Sequence, residues 1–180
     1  MHLNRRQALK QFAIITAGVS LIPSCMQDKN KASIILKNLQ VGGDQEQLLA
    51  ELAETIIPAT DTPGAKDISA HLFVLKMMDD CYAKEDQQKF MKGLEQFEKE
   101  AKSKTGKSFV NSAAQERAAV LTEIEARKDK KDDLSYFYNT TKRLTIQAYT
   151  TSEFYLTKVS VYEMIPVPYK GCVPVTKQVS

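Results

Sequence analysis

Histidine, cysteine and glycine are all scarce in this chain. Its 180 residues include two histidines, seven glycines and three cysteines, and the cysteines stand far apart at positions 25, 81 and 172. A structural zinc site takes four nitrogen or sulfur ligands, and haem attachment or an iron–sulfur cluster takes closely spaced cysteines. The sequence therefore predicts no metal site, no haem and no cluster.

Phosphate-binding and catalytic motifs are also missing. The glycine pair Gly42-Gly43 lacks the flanking residues of a nucleotide-binding loop, so we expect no flavin or nicotinamide cofactor in this chain. His71 lies in an apolar stretch and is interpreted as a structural or surface residue. The adjacent pairs Asp79-Asp80 and Asp132-Asp133 would point in different directions on a helix, and we interpret them as solvent-exposed. We predict no catalytic residue.

The first 24 residues have the pattern of an export signal. A basic start with Arg5 and Arg6 precedes a short apolar run, which ends before Pro23-Ser24-Cys25. The run is shorter than the roughly 20 residues of a membrane span and has the layout of a cleaved signal peptide. The arginine pair indicates the twin-arginine pathway, and Cys25 in a lipobox would be acylated as the first mature residue. The alternative is an ordinary signal peptide followed by an incidental cysteine.

The basic balance of the chain resides in this leader. The formal net charge is +3, and residues 1–24 contain Arg5, Arg6 and Lys10 but no acidic residue. Removal of the leader therefore leaves a neutral chain, for which net charge favours neither nucleic acid nor anionic lipid as a partner. The predicted location is the periplasmic side of a bacterial membrane, with the protein anchored through a lipid on Cys25.

Beyond the leader, hydrophobic residues recur at the three- and four-residue spacing of helices. We predict an all-α fold, a single compact domain of about five to six helices over residues 44–164. A polar, flexible tether is expected at 25–43, and an extended proline-rich tail at 165–180. The composition of residues 140–161 leaves a strand open, but their apolar residues do not alternate, which favours helix.

The connections between the predicted helices carry their own signals. Pro58 is expected to end the first helix, and residues 57–65, with two prolines and a glycine, to form a rigid surface loop. Ser69 is expected to cap the second helix through its side chain, and Gly106 to end the third helix. The mixed-charge run at 127–133 is interpreted as a solvated loop.

The two cysteines beyond Cys25 have different settings. Cys81 lies among apolar residues of the second predicted helix and is interpreted as a small buried hydrophobic residue. Cys172 lies in the proline-rich tail of a chain addressed to an oxidising compartment. Three alternatives stay open for it: a disulfide with Cys81, a disulfide with another chain, or a free thiol.

Two sequence blocks carry a resemblance to a known family. The first is Leu52-Ala-Glu-Thr-Ile-Ile-Pro-Ala-Thr-Asp-Thr-Pro-Gly-Ala65. The second is Tyr149-Thr-Thr-Ser-Glu153, followed by Val167-Pro-Tyr-Lys-Gly-Cys-Val-Pro174. In this order, behind a twin-arginine leader, they resemble the gluconate 2-dehydrogenase subunit 3 family over the chain from the leader to about Pro174.

The resemblance implies the small, non-catalytic subunit of a membrane-associated sugar or polyol dehydrogenase. A large GMC-type subunit would hold FAD and oxidise the substrate, a cytochrome c subunit is a further expected partner, and the small subunit would help to mature, export and anchor the large one. Cys172 becomes a candidate for a disulfide to the large subunit. The residues expected to contact that subunit are Pro58, Thr62, Pro63, Gly64, Tyr149, Thr151, Ser152, Glu153, Pro166, Pro168 and Tyr169.

The alternative hypothesis is a stand-alone helical envelope lipoprotein that acts as a binding or scaffold module. The tail separates the two hypotheses. A tail folded back over its own domain, with a disulfide between Cys81 and Cys172, would favour the stand-alone protein. A projecting tail or an exposed apolar patch would favour the subunit.

Overall fold

The computed structural model describes residues 31–127 and 131–160, and the structural statements that follow refer to them. The chain there forms five α-helices: α1 (Gly43–Ile56), α2 (Ala70–Cys81), α3 (Lys84–Thr105), α4 (Ala114–Glu125) and α5 (Asp133–Thr150). A short 3-10 helix spans Phe109–Asn111, and a π-helical turn spans Tyr155–Val159. These residues contain no strand, and the predicted all-α fold is confirmed.

The core is centred on the contact between α3 and α5, the two longest helices. Four buried phenylalanines form a continuous series along it. The ring centroids of Phe90 and Phe137 lie 4.9 Å apart, those of Phe137 and Phe97 5.6 Å, and those of Phe97 and Phe109 4.9 Å. Tilted and edge contacts of this kind add to the stabilisation from burying large apolar side chains. Helices α1 and α2 pack against α5, and α4 packs against α1 and α3.

The helix ends agree with the sequence at two positions and differ at one. Helix α1 ends at Ile56, just before Pro58, and α3 is followed by Gly106 at φ +70°. Ser69 does occupy the position before α2, but its side chain makes no capping bond, so that prediction is wrong. Its backbone adopts a left-handed φ of 56°, and the N–H groups of Ala70 and Leu72 already donate to the carbonyls of Ala65 and Ser69.

The mixed-charge run between α4 and α5 was predicted to be a solvated loop, but the residues at its two ends make specific contacts. Asp132 precedes α5 and accepts a hydrogen bond of 3.0 Å from the backbone N–H of Ser135. Arg127 pairs with Asp132 at 3.2 Å and also with Glu100 of α3. The interpretation of Asp132 as merely solvent-exposed is therefore corrected: it caps a helix. Residues 128–130 lie outside the described residues.

A buried carboxylate holds the segment that leads into α1. Asp79 of α2 is only 1% exposed and accepts hydrogen bonds from three consecutive backbone N–H groups, those of Lys37, Asn38 and Leu39, at 2.7 to 2.8 Å. Leu39 is buried in the core beside them. The interpretation of Asp79 as solvent-exposed is wrong, because unpaired backbone donors at this site require an acceptor.

These contacts also correct the predicted tether. Ile34, Leu36 and Val41 pack against the core, and Ser33 donates two hydrogen bonds of 2.6 Å to Glu46 of α1. The segment from 33 to 41 is therefore part of the domain and not a free linker. The earlier part of the predicted tether, residues 25–30, lies outside the described residues.

Replacement of Asp79 by asparagine is expected to lower the free energy of unfolding by about 1–3 kcal/mol near neutral pH. Burial acts to raise the pKa of Asp79, but the backbone N–H groups of Lys37, Asn38 and Leu39 hold it below its ordinary value. A lowered folded-state pKa means that the stabilisation is complete above the unfolded pKa of about 4 and is lost as pH falls through the folded value. Denaturant titrations of both proteins between about pH 7 and pH 3 should show the difference shrinking only below about pH 4.

The neighbouring carboxylate offers a matched control. Asp80 is exposed and pairs with Lys76 at 2.9 Å. A surface pair of this kind contributes about 0–1 kcal/mol, so Asp80→Asn should change stability little at any pH. Equal effects of the two substitutions would contradict the role assigned to Asp79.

Candidate partner-binding surface

The loop between α1 and α2 is built around one carboxylate. Glu54, in the last turns of α1, accepts hydrogen bonds from the backbone N–H of Ala59 at 2.8 Å and from that of Lys66 at 3.0 Å. The ends of the loop also bond to each other, since the N–H of Ala65 donates to the carbonyl of Ile57 at 2.9 Å. The predicted rigid loop thus has a physical basis, because Glu54 ties its beginning to its end.

Gly64 allows this arrangement. A Cβ atom at position 64 would lie 2.4 Å from Oε2 of Glu54 and 2.7 Å from the backbone nitrogen of Ala59. Its own N–H donates to Oδ2 of Asp67 at 2.9 Å. Gly64 is buried under the carboxylate, so glycine is required here for space and not for an unusual backbone angle.

The end of α5 packs against the same loop. The hydroxyl of Tyr149 donates to the carbonyl of Pro63 at 3.0 Å, a contact between residues 86 apart in the sequence. The Tyr149 ring makes edge contacts with Phe154 and Tyr155, with centroids 6.4 and 6.2 Å apart. Two of the segments predicted to contact a partner, 58–65 and 149–155, therefore form one continuous area. We call it the loop–helix surface.

An open groove of about 710 Å³ adjoins the loop–helix surface. Small residues lie beneath it, where Ala53, Ala65, Ala70 and Ala148 are buried together. Two large apolar side chains near its end stay exposed, Leu156 at 39% and Val159 at 52%. The residues that line the groove are Ile68, Ala70, Phe73, Ala148, Thr151, Ser152, Glu153, Phe154, Thr157 and Lys158.

The short helical stretch after α5 confirms helix over strand for the described part of 140–161. Ser152 accepts a hydrogen bond from the backbone N–H of Tyr155 at 3.2 Å and thereby starts the turn. The π-helical turn follows, and the chain is exposed from Leu156 to Ser160. This geometry places one rim of the groove on Thr157 and Lys158.

A second carboxylate, which the sequence did not indicate, contacts the residue that follows the loop. Glu51 of α1 pairs with Lys66 at 2.6 Å and with Arg117 of α4. Burial acts to raise the pKa of Glu51, but hydrogen bonds from Lys66 and Arg117 hold it below its ordinary value. The signal for both Glu51 and Glu54 was weak, since a glutamate on a helix usually faces solvent.

His71 matches its predicted setting, and Cys81 does not. His71 is partly buried, as expected, and burial lowers its pKa. Its buried Nδ1 has no hydrogen-bond partner among the described residues. Cys81 is exposed at the end of α2, so its interpretation as a buried residue is wrong. The core side of that last turn is occupied by Met78, and the Cys81 thiol turns towards Met77 at 4.0 Å between sulfur atoms.

Several predicted site residues lie outside the described residues. They are Arg5 and Arg6 of the leader, Cys25 of the lipobox, and Pro166, Pro168, Tyr169 and Cys172 of the tail. Their predicted roles stay predictions, as do the three alternatives for Cys172.

Within residues 31–127 and 131–160, no three side chains of His, Cys, Asp or Glu are grouped as metal ligands. None of the helices in this part of the chain is both long and apolar enough to cross a membrane.

The structure is a small all-helical domain with a surface loop that is held by side-chain hydrogen bonds and adjoins a groove. A family model, gluconate 2-dehydrogenase subunit 3, matches residues 43–168, and the chain belongs to this family. The match begins at the first residue of α1 and includes both blocks of the loop–helix surface, but it stops before Cys172. The family resemblance seen in the sequence is thereby confirmed over this range. No curated protein and no solved structure matches the chain.

Proposed function

We propose that this chain is a non-catalytic small subunit that binds a large FAD-dependent, GMC-type sugar or polyol dehydrogenase subunit and helps to mature, export and anchor it. The family is named for a subunit of gluconate 2-dehydrogenase, which supports membership in a dehydrogenase complex. The observation that carries the proposal is the hydrogen bond from Tyr149 to Pro63, because it joins the two family blocks into one surface.

The construction of the loop–helix surface supports a role in binding a protein. The loop tip from Pro58 to Thr62 is exposed, yet its backbone is held by Glu54 and by the bond between the N–H of Thr60 and the carbonyl of Thr62. A loop that is already ordered loses little conformational entropy on binding. The adjoining groove offers apolar contact area, and Leu156 and Val159 extend it. Rigid, partly apolar surfaces of this kind suit a stable interface.

Export and anchoring belong to the proposal through the leader. Arg5 and Arg6 would direct a folded complex to the twin-arginine pathway, and a lipid on Cys25 would hold it at the membrane. The tail would extend the interface, with Pro166, Pro168 and Tyr169 against the large subunit and Cys172 in a disulfide to it. FAD would be bound by the large subunit alone, and a cytochrome c subunit would accept its electrons.

The test is gentle detergent extraction of the tagged native protein, followed by mass spectrometry and flavin absorbance of the material that co-purifies. We expect a flavoprotein in stoichiometric amount, because a permanent interface would survive mild extraction. Without reductant, part of it should migrate as a covalent pair that Cys172→Ser abolishes while co-purification persists.

Recovery of the protein alone, under the same mild conditions and with its lipid intact, would contradict the subunit proposal. That result would favour the stand-alone envelope lipoprotein, for which the groove of about 710 Å³ beside the loop is the feature to examine with ligands.

A further inference from the structure

The most exposed large apolar side chain in the described residues belongs to an ordered segment. Ile35 is 88% exposed, although Ile34 and Leu36 on either side pack against the core. Asp79 holds the backbone from Lys37 to Leu39, and Glu46 holds Ser33. Ile35 therefore lies in a short segment whose two ends are held by hydrogen bonds. Exposure of its apolar side chain to water is unfavourable in free energy.

Three lysines line a groove that begins at Lys37, two residues after Ile35. Lys37, Lys84 and Lys92 line this open groove of about 630 Å³, together with the amide side chains of Asn38, Gln40, Gln87 and Gln88 and the apolar side chains of Leu39 and Met91. Glu95 is the one acidic residue among the lining residues. Lys37 follows Ile35 by two residues, which places their Cα atoms within about 7 Å of each other. The three lysines are exposed, so their charges remain available to a ligand.

This local charge is invisible in the composition. The chain after the leader is neutral overall, which made binding to anionic lipid unexpected on net charge. Folding brings Lys37, which precedes α1, next to Lys84 and Lys92 on α3. A basic cluster of this kind attracts anions within about one Debye length, whatever the net charge of the whole molecule.

The position of the cluster along the chain indicates what it faces. Seven residues lie between Cys25 and Ser33, where the chain joins the domain, so eight residue-to-residue steps connect the two. Fully extended, they span at most about 29 Å. With a lipid on Cys25, this length keeps Ser33, and with it the neighbouring Ile35 and Lys37, within about 29 Å of the bilayer surface. Aliphatic side chains flanked by lysines suit a membrane interface, where the apolar group enters and the charges meet phosphate headgroups.

We infer that the area formed by Ile35, Lys37, Lys84 and Lys92 is a membrane-docking surface that recognises anionic phospholipid and orients the domain on the bilayer. The inference rests on the proposed lipid anchor at Cys25 for its setting, but the surface itself does not require acylation. It leaves the loop–helix surface free for the large subunit, since the two areas are built from different residues.

The test uses the whole mature chain with Cys25→Ser, so that no acyl chain contributes to binding. Co-sedimentation is measured with phosphatidylcholine vesicles, with and without phosphatidylglycerol, at low and high salt. We expect binding only to vesicles with phosphatidylglycerol, and weaker binding at high salt. Each lysine near an anionic surface contributes roughly a fivefold gain in partitioning, so K37Q/K84Q/K92Q together should weaken binding about a hundredfold. Ile35→Ser should weaken it about tenfold.

Matched variants provide the controls. Lys99, Lys102 and Lys107 are also exposed, and Lys102 lies 18 residues along α3 from Lys84, a rise of about 27 Å. K99Q/K102Q/K107Q has the same net charge as the groove variant and should bind vesicles like the parent. Ile146→Ser, at a residue 43% exposed on α5, controls for Ile35→Ser.

Absence of binding to the anionic vesicles, or equal weakening by the two triple variants, would overturn the inference. Loss of the co-purifying flavoprotein in the groove variant, with vesicle binding unchanged, would also overturn it by assigning the area to a protein interface. The vesicle results leave the subunit proposal untouched, since its test is co-purification with the acylated native protein. Loss of the flavoprotein in the groove variant would instead keep the subunit proposal and move the interface to the groove.

Discussion

Gly93→Ala is expected to lower the free energy of unfolding by about 2–3 kcal/mol, because atoms of α5 already occupy the space that a side chain would need. Gly93 is buried in α3 at the contact with α5. A Cβ atom there would lie 2.1 Å from the carbonyl oxygen of Asp133 and 2.5 Å from Cβ of Phe137. The obstacle is partly backbone, so α3 and α5 must separate, and the contact between Phe90 and Phe137 would be disturbed.

Two effects of opposite sign compete at this position. Alanine is favoured over glycine in a helix interior by about 1 kcal/mol, so the substitution would stabilise an uncrowded helix. Overpacking of a tight core typically costs about 1–3 kcal/mol and occasionally more. Because the carbonyl of Asp133 blocks the methyl group, the cost here is expected at about 3–4 kcal/mol, which exceeds the gain. Thermal denaturation should show a midpoint lowered by about 5–10 °C.

Gly106 serves as the comparison for Gly93. A Cβ atom at Gly106 meets nothing within 4 Å, but its φ of +70° disfavours side chains. Gly106→Ala should therefore cost only about 1 kcal/mol. A Gly93→Ala protein as stable as the parent would show that α3 and α5 do not approach as closely as described.

Gly64→Ala is expected to reduce capture of the large subunit by about tenfold or more, because interface energy is concentrated in a few well-ordered contacts. The added methyl group would collide with the Glu54 carboxylate and with the backbone nitrogen of Ala59. Both hold the loop–helix surface in shape. Glu54→Ala should have a similar effect by a different route, since it leaves the N–H groups of Ala59 and Lys66 without their acceptor.

The measurement is quantitative co-purification of the flavoprotein with each variant, with folding checked by circular dichroism at the assay temperature. Glu98→Ala, at an exposed position of α3, is the matched control and should capture the partner normally. Gly93→Ala should also capture it while folded, because its defect lies away from the loop. Normal capture by both Gly64→Ala and Glu54→Ala would exclude the loop from the interface.

The helices could be predicted from the sequence because the signals that indicate them are local. Leu48, Leu49 and Leu52 of α1 and Phe90, Leu94 and Phe97 of α3 recur at helical spacing, and all six are buried. Proline and glycine marked the ends of α1 and α3 for equally local reasons, a missing donor and a permitted left-handed backbone. The residues of the candidate surface could be predicted from two sequence blocks that resemble the family. The resemblance did not show that the blocks are close in space, since they are 84 residues apart in the sequence, at 65 and 149.

The environment of residues whose partners are distant in the chain could not be predicted from the sequence. Asp79 and Cys81 lie two residues apart on α2, and both were assigned to the wrong environment. The burial of Asp79 depends on three N–H groups about 40 residues earlier in the chain. Helical spacing cannot reveal such an acceptor, because an aspartate that is paired and one that is solvated look identical in a sequence.

The sequence by itself determined the all-α class, the helix positions and the family, since periodicity, chain breakers and short motifs act over a few residues. Tertiary structure alone decided that Glu54 and Gly64 shape the loop, that Tyr149 joins it to α5, and that Lys37, Lys84 and Lys92 line one groove. Each of these depends on distance between side chains that the chain brings together only when it folds.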